Sequence, residues 1–244
     1  MFLRSIGIAP SSGVDTFPFT LPCVRALRTE PLKLSSPATI FAGENGCGKS
    51  TLLEAIAIAD GFNPEGGTRN FTFRQRPSES SLSAAIRLTW SYRARDGFFF
   101  RAESLFNLAT NIEEMDRLPG ASRKVIESYG GKSLHEQSHG ESFLALMRNR
   151  FSDRGLFILD EPESALSPRS QLAFLKLMKE RIESGSQFII ATHSPILLAY
   201  PGATLFELGE EGIEERGYED LSHVKLYREF LKDRESLLAE LGDE

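Results

Sequence analysis

The sequence contains few cysteines: Cys23 and Cys47 are the two among its 244 residues. Two cysteines cannot form a metal cluster by themselves, and Cys47 lies inside a glycine-rich loop that a disulfide bond would obstruct. This scarcity argues against a cysteine-ligated metal cluster and against a disulfide framework. We therefore expect a reducing, cytoplasmic setting.

Long apolar runs are also missing. No stretch approaches the roughly 18 uninterrupted apolar residues of a membrane-spanning helix. The apolar run in the N-terminal segment MFLRSIGIAPSSG is too short for a signal peptide. The sequence thus predicts neither a membrane span nor export.

Positive charge is in deficit over the chain as a whole. The formal net charge is −6 and the isoelectric point is near 5.4, so the molecule offers no general attraction to a phosphate backbone or an anionic membrane. The composition, with 41% hydrophobic and 25% charged residues, is that of an ordinary globular protein. At this length we expect a single domain over residues 1–244.

One region departs from this acidic balance. Residues 69 to 101 hold seven arginines against Glu79 and Asp96. The arginines are Arg69, Arg74, Arg76, Arg87, Arg93, Arg95 and Arg101. This cluster is either a solvated face, paired with the acidic C-terminal part of the chain, or a contact surface for an anionic protein or a nucleic acid.

The most informative stretch is GENGCGKST, residues 43 to 51, between the apolar run ATIF and the helical pattern STLLEAIAIAD. Glycines permit a tight turn whose backbone N–H groups point at phosphate oxygens, and the following helix adds its positive N-terminal end. The lysine reaches the β- and γ-phosphates, and the next hydroxyl ligates Mg²⁺. The predicted nucleotide-binding residues are Gly43, Glu44, Asn45, Gly46, Cys47, Gly48, Lys49, Ser50 and Thr51.

Two later segments carry side chains that suit phosphate chemistry. In LFILDEPES, Asp160 ends an apolar strand and is expected to hold Mg²⁺ together with Ser50, while Glu161 is expected to accept a proton from the attacking water or to orient it. In ATHSP, His193 follows the next apolar strand, and we expect it to contact the γ-phosphate. Because parallel strands end at one edge of a sheet, these residues should converge on the glycine loop.

Short apolar runs broken by Pro, Ser and Gly predict strands in the first 42 residues: FLRSIGIA, DTFPFTLP, LKLSS and ATIFA. Residues 62–140 are predicted to form an inserted subdomain, with a β-hairpin that turns at Asp96-Gly97 and helices over 104–137. After it, helices alternate with the apolar strands GLFILD, SQFIIATH and ATLFEL. This alternation predicts a parallel sheet covered on both faces.

The segments GENGCGKST, SHGES, LFILDEP, SALS and ATHSP occur in the order and spacing of the ABC-type ATPases, and the chain resembles this family from about residue 15 to 210. It is similar to small stand-alone bacterial ATPases more than to a transporter subunit fused to membrane spans. The resemblance implies an α/β P-loop NTPase fold, an ABC-type ATPase head with a parallel sheet core, an antiparallel β region and an α-helical subdomain. It also implies ATP and Mg²⁺ as cofactors, and a head-to-tail homodimer in which Ser138 and Gly140 of one chain complete the ATP site of the other.

The chain departs from the family pattern at two places. The signature segment usually reads Leu-Ser-Gly-Gly-Gln, whereas residues 137–141 read Gln-Ser-His-Gly-Glu. Glu141 therefore puts an acid where a triphosphate is expected, and this acid would need a compensating partner. The loop after the predicted base usually ends in Asp, but this chain has Ser167, so communication between the two sites of a dimer is expected to differ.

Two assignments stay open at this point. The Mg²⁺-sensing residue of the family is a glutamine, for which Gln75 in FRQRP has the right side chain, while Glu103 in FFFRAES is the alternative. The aromatic residue that stacks on adenine is Phe17 or Phe19, although core packing is the expected role of both.

Four other functions are consistent with parts of the sequence. A nucleotide kinase also uses a glycine loop of this kind, but it would not require SHGES or His193. A non-hydrolysing ATP-dependent switch would not need a base at position 161. A transporter's nucleotide-binding subunit, or a nucleic-acid-associated ATPase, would carry the same motifs. The motifs do not specify the protein partner that we expect or the process that ATP drives.

Overall fold

The computed structural model describes residues 1–9, 16–69, 81–117 and 124–240. Its strands are β1 (Leu3–Ile8), β2 (Leu32–Lys33), β3 (Ala38–Gly43), β4 (Ile86–Trp90), β5 (Asp96–Arg101), β6 (Gly155–Asp160), β7 (Gln187–Ala191), β8 (Thr204–Gly209) and β9 (Gly212–Glu215). Its α-helices are α1 (Pro22–Thr29), α2 (Lys49–Ala59), α3 (Ser81–Ala85), α4 (Leu105–Arg117), α5 (His139–Arg150), α6 (Pro168–Glu183), α7 (Pro195–Leu198), α8 (Ser222–Lys232) and α9 (Arg234–Glu240).

The main sheet has six strands in the order β5-β6-β7-β3-β8-β9. Its first five members in this order run parallel, and β9 pairs antiparallel with β8 at one edge. β3 and β6 are buried along their whole length, because helices or the second sheet cover both faces. The parallel sheet predicted from the alternation of strands and helices is confirmed.

A second, three-stranded antiparallel sheet has the order β2-β1-β4. The predicted β-hairpin is wrong, because β4 pairs with β1 while β5 pairs parallel with β6, with Phe98 opposite Phe157. Asp96 and Gly97 do not form its turn but begin β5. The FFF run of β5 is buried, and an apolar strand of this kind is covered on both faces at the edge of the main sheet beside β6. Tertiary packing thus overrides the local turn signal.

Two hydrophobic cores lie on opposite faces of the main sheet. One contains side chains of α4, α5 and α6 packed on alternate residues of the strands, such as Phe157 and Leu159. The other contains α1, α2 and the antiparallel sheet, packed on Leu156 and Ile158. Neighbouring residues of β6 thus point to different cores, as the two-residue period of a strand requires.

The predicted helices at the glycine loop, at SFLALMRNRF and after Ser167-Pro168 are confirmed as α2, α5 and α6. Near the N-terminus the DTFPFTLP strand is wrong, since residues 16–21 form turns and α1 follows. Pro22 starts α1 because a proline at the first helical position removes an N–H that has no partner there.

The predicted subdomain over 62–140 includes β5, a strand of the main sheet, together with the helical stretch that begins at α4. The division of the chain into subdomains stays a prediction. Among the helices in the described ranges, none combines the length and the apolar character needed to cross a bilayer.

Candidate active site

Three loops meet at the carboxyl edge of the main sheet. The glycine loop follows β3, Asp160 ends β6, and His193 lies two residues beyond β7. These loops are neighbours because β7 lies between β6 and β3, and ligands of α/β sheets bind at such an edge. A cleft of about 500 Å³ opens here. Its lining residues are Ser50, Arg101, Ala102, Glu103, Asp160, Glu161, Ser164 and Ala165.

The glycine loop has the backbone shape that phosphate binding requires. Gly48 has φ of 102°, and a Cβ at this position would lie 2.8 Å from Cys23 Sγ, so only glycine fits. Lys49 Nζ lies inside the loop and donates to the carbonyls of Gly43 (2.8 Å) and Glu44 (3.0 Å). The N-cap residue of α2 is Gly48, which has no side chain to cap the helix, and this suits an anion at the helix end. Both cysteines are free thiols.

Ser50 and Asp160 meet across the cleft. Ser50 Oγ donates to Asp160 Oδ1 at 3.0 Å, and the Asp160 side chain is 7% exposed. Burial raises the pKa of Asp160 to about 6, although the hydrogen bond from Ser50 and the charge of Arg101 lower it. The neighbouring groups therefore compensate the ionised carboxylate only in part. A cation bound beside it would lower the free-energy cost of keeping this charge buried.

Arg101 is a site residue that the sequence motifs do not predict. Its guanidinium pairs with Glu54 at 2.9 Å and with Glu103, and its Nε lies 3.9 Å from Asp160 Oδ2. Its position follows from strand register, because Arg101 ends β5 directly opposite Asp160 at the end of β6. Arg101 thus supplies the positive charge next to the buried carboxylate.

Glu161 has an unusual backbone conformation, with φ of 49°. Positive φ is uncommon for residues other than glycine, and such residues cluster at functional sites. Its backbone N–H donates to the Ala191 carbonyl at 3.0 Å, and its Oε1 lies 3.5 Å from His193 Nε2. The structure therefore brings the two predicted catalytic side chains together.

His193 is held by two residues that the sequence patterns do not single out. Its backbone N–H donates to Glu163 Oε1 at 2.6 Å, and its Nδ1 lies 3.2 Å from Nε2 of His223 in α8. Burial lowers the pKa of His193, and the neighbouring Lys49 and His223 lower it further. The ring is therefore neutral near pH 7, and His193 Nε2 is a buried nitrogen without a hydrogen-bond partner in the described part of the chain.

The signature segment starts α5. Ser138 caps this helix in a reciprocal capping box: its Oγ accepts from the Glu141 N–H and donates to Glu141 Oε2 at 2.8 Å, and its N–H donates to the same Oε2 at 3.0 Å. These hydrogen bonds lower the pKa of Glu141. Gly140 packs close to the loop after Glu161, since a Cβ at Gly140 would lie 3.3 Å from the Ala165 carbonyl.

The open assignments are placed only in part. Gln75 lies outside the described residues. Glu103 lines the cleft with Ser50 and Asp160. Phe19 is buried in a hydrophobic core, as expected, whereas the expected core packing of Phe17 is wrong because this ring is 70% exposed.

Two protein-family models match parts of the chain: "AAA domain" over residues 23–118 and "AAA domain, putative AbiEii toxin, Type IV TA system" over residues 133–199. A cytochrome c biogenesis ATP-binding export protein of Rhodopseudomonas palustris (strain HaA2) is 42% identical over 165 residues, which cover 65% of this chain and 79% of the relative. The chain belongs to the ABC-type ATPases. It therefore binds and hydrolyses ATP, which sets aside the nucleotide kinase and the non-hydrolysing switch.

Further comparisons extend the likeness of this ABC-type ATPase over most of the chain. A tungstate uptake system ATP-binding protein of Campylobacter jejuni is 25% identical over 236 residues, covering 84% of this chain and 69% of the relative. The solved ADP conformation of an ATP-binding cassette of an ABC transporter covers 100% of both chains with a TM-score of 0.52 at 18% identity. The last match shows the fold alone, and the expected ABC-type ATPase head is confirmed.

Proposed function

We propose that this ABC-type ATPase hydrolyses ATP as a head-to-tail homodimer that ATP assembles, and that the cycle acts on a separate protein partner. The position of Ser138 carries the proposal. This signature serine is exposed, and it is not among the residues that line the cleft with Ser50, Asp160 and Glu161. A phosphate-binding serine outside its own chain's cleft suits the nucleotide of a second chain, as the family resemblance implies.

Ser50 and Asp160 are the proposed Mg²⁺ ligands, and the chemistry and spacing of their side chains are compatible with this ion. Their side-chain oxygens lie 3.0 Å apart, and Mg²⁺ prefers oxygen ligands, usually one or two from the protein beside phosphates and waters. A denser cluster is not needed, and the described residues contain no group of three or more His, Cys, Asp or Glu able to hold a metal. When bound, Mg²⁺ would neutralise charge on the β- and γ-phosphates.

Lys49, Glu161 and His193 have separate roles in the proposed hydrolysis of ATP. When ATP binds, Lys49 Nζ gives up its hydrogen bonds to the two loop carbonyls and donates to phosphate oxygens. An anion is a stronger hydrogen-bond acceptor for an ammonium group than a neutral carbonyl is. Glu161, which is 39% exposed, accepts the proton of the attacking water. His193 donates a hydrogen bond from Nε2 to the γ-phosphate, which gives this buried N–H the acceptor that it lacks in the described residues.

Two substitutions separate binding from hydrolysis. Lys49→Ala should abolish ATP binding, whereas Glu161→Gln should bind ATP and lose turnover by on the order of 10²- to 10⁴-fold, the usual effect of a positioned base. Turnover by Glu161→Gln at the wild-type rate would show that the base is another residue.

Sedimentation tests the dimer. Glu161→Gln should shift from monomer to dimer with ATP and Mg²⁺ but not with ADP, and adding Ser138→Arg should block the shift. Ser164→Arg is not a suitable control because Ser164 lines the cleft. The exposed Ser184 follows the last residue of α6, so Ser184→Arg serves as the matched surface change and should leave assembly intact. Assembly that persists with Ser138→Arg would remove Ser138 from the interface.

The nature of the partner is the open part of the proposal. The relatives are named as a tungstate uptake and a cytochrome c biogenesis export protein, which favours a transporter subunit as the second candidate. Affinity capture with ATP-bound Glu161→Gln, using Lys49→Ala as the control bait, distinguishes the two. An integral membrane protein retained by the first bait alone favours the transporter subunit, and a non-membrane protein favours a stand-alone ATPase.

A further inference from the structure

We propose that His223 is a positioning residue that holds the His193 ring as the Nε2–H tautomer, so that His193 presents a hydrogen-bond donor to the γ-phosphate. The inference rests on the role proposed above for His193. His223 is 30 residues further along the chain and lies on a different element, the first turn of α8. It belongs to none of the sequence motifs of the site.

The two rings form a close contact away from bulk water. His193 Nδ1 and His223 Nε2 are 3.2 Å apart, and the rings are edge-to-face with centroids 5.2 Å apart. The side chains are 25% and 10% exposed, respectively. A nitrogen pair at this distance requires one proton between the two atoms, because two lone pairs or two N–H groups would repel.

In the first arrangement His223 Nε2–H donates to His193 Nδ1. The neutral His193 ring then carries its proton on Nε2, which lies 3.5 Å from the Glu161 carboxylate. The His223 proton also lies near an acid, because Glu44 Oε1 is 3.7 Å from His223 Nε2. The proton on His193 Nε2 and the proton on His223 Nε2 thus each lie near a carboxylate, which is favourable in a partly buried site.

In the reverse arrangement His193 Nδ1–H donates to His223 Nε2. The lone pair of His193 Nε2 would then face Glu161, and the lone pair of His223 Nε2 would remain near Glu44. Each carboxylate would be repelled by a nitrogen lone pair. His223 Nδ1 is buried without a partner among the described residues in either case and does not discriminate between the arrangements. The electrostatics of the two carboxylates select the first arrangement, in which His223 fixes the tautomer of His193.

The start of α8 is anchored so that His223 keeps this position. Leu221 and Val224, which flank the helix start, are buried in the core of the main sheet. The Ser222 N–H donates to Glu207 Oε1 of β8 at 2.9 Å. The ring therefore rests on a fixed helix end, which is what a positioning residue requires.

Nitrogen chemical shifts of the histidine rings test the tautomer directly in the nucleotide-free protein. The chain has four histidines, so ¹⁵N-histidine labelling gives a small set of signals, and loss of one set in His193→Gln assigns His193. We expect a protonated Nε2 and an unprotonated Nδ1 for His193. A proton on Nδ1 in the wild-type protein would overturn the inference without any further variant.

Two substitutions at position 223 separate the hydrogen bond from packing. His223→Gln can place an N–H near the original Nε2, whereas His223→Met fills similar space without a donor. In His223→Met we expect a mixture of His193 tautomers and an ATP turnover that is lower by about 10- to 100-fold, by analogy with outer partners of metal-bound histidines. His223→Gln should recover most of the turnover, and the affinity for ADP should be the same in all forms because ADP lacks the γ-phosphate.

The chemical shifts and the turnover rates distinguish an error in the role of His223 from an error in the role of His193. An unchanged His193 tautomer in His223→Met, or equal losses of turnover in the Gln and Met variants, would overturn the role of His223. Wild-type turnover in His193→Ala, which has no side-chain donor, would instead contradict the proposed role of His193, while the chemical shifts would still decide whether His223 sets its tautomer.

Discussion

The carboxylate of Asp160 has little contact with water: its side chain is 7% exposed, with Ser50 and Arg101 as polar neighbours. Burial is the first cause of its pKa of about 6. The folded, ligand-free protein therefore maintains an ionised group near pH 7 in surroundings that disfavour ionisation. Binding of the proposed Mg²⁺ beside Asp160 would compensate this charge and remove the cost.

The raised pKa predicts the pH dependence of stability. Between pH 4 and 6 the folded protein retains a proton that the unfolded chain has released, so the free energy of unfolding falls as pH rises through this window. In Asp160→Asn the contribution of this group to the loss is absent. Without nucleotide and Mg²⁺, we expect this variant to be more stable than the wild type at pH 7 by about 1–3 kcal/mol, with no difference near pH 4. Urea unfolding at both pH values measures this, and an equal difference at pH 4 and 7 would refute the ionisation argument.

At the scale of secondary-structure elements, α5 carries the exposed acid that the family pattern does not have. Glu141 completes the capping box at Ser138, so this acid has an intrachain partner in the ATP-free protein. The same carboxylate would repel the phosphates of a partner-bound ATP. Glu141 therefore stabilises α5 in the single chain, but its negative charge would weaken ATP-driven dimerisation.

Glu141→Gln tests this trade-off. Glutamine also forms capping boxes, so the helix should remain intact while the negative charge is removed. In the Glu161→Gln background we expect ATP-driven dimerisation to tighten by about two- to fivefold, the usual size of an interaction between exposed charges. Glu136→Gln, a change at an exposed glutamate of the preceding turn, is the control in sedimentation. Weaker dimerisation of Glu141→Gln than of Glu136→Gln would contradict the repulsion.

The elements differ in how well the sequence predicts them. The glycine loop and the DEP segment can be predicted from the sequence because strand, turn and helix signals agree within a few residues of Lys49 and Asp160. β5 is misassigned because a turn signal at Asp96-Gly97 is local, whereas its pairing with β6 is not. Arg101 and His223 escape prediction for the same reason: each reaches the site through strand register or helix docking, and no local pattern marks them.

At the scale of the whole molecule, the arginine cluster is divided by the fold. Arg69 pairs with Asp60 and Arg101 belongs to the cleft, while Arg74 and Arg76 lie outside the described residues. Arg87, Arg93 and Arg95 are exposed at or after β4. β4 and the segment that follows it thus carry three exposed positive charges on a molecule that is acidic as a whole.

Charge reversal tests whether this surface binds nucleic acid. If it does, short DNA or RNA duplexes should bind at low salt, with affinity falling steeply as salt rises, and Arg93→Glu with Arg95→Glu should abolish binding. Lys176→Glu with Lys179→Glu, an equal charge change on exposed positions of α6, is the control. Absence of wild-type binding at low salt, with or without ATP, would leave only an acidic protein as the partner of this surface.

If the ATP site is complete only in the dimer, as proposed, the turnover per chain depends on enzyme concentration. At saturating ATP and Mg²⁺, we predict that turnover per chain rises with protein concentration and reaches a plateau where sedimentation shows the dimer. A turnover per chain that stays constant down to concentrations at which the protein is monomeric would show that one chain holds a complete site.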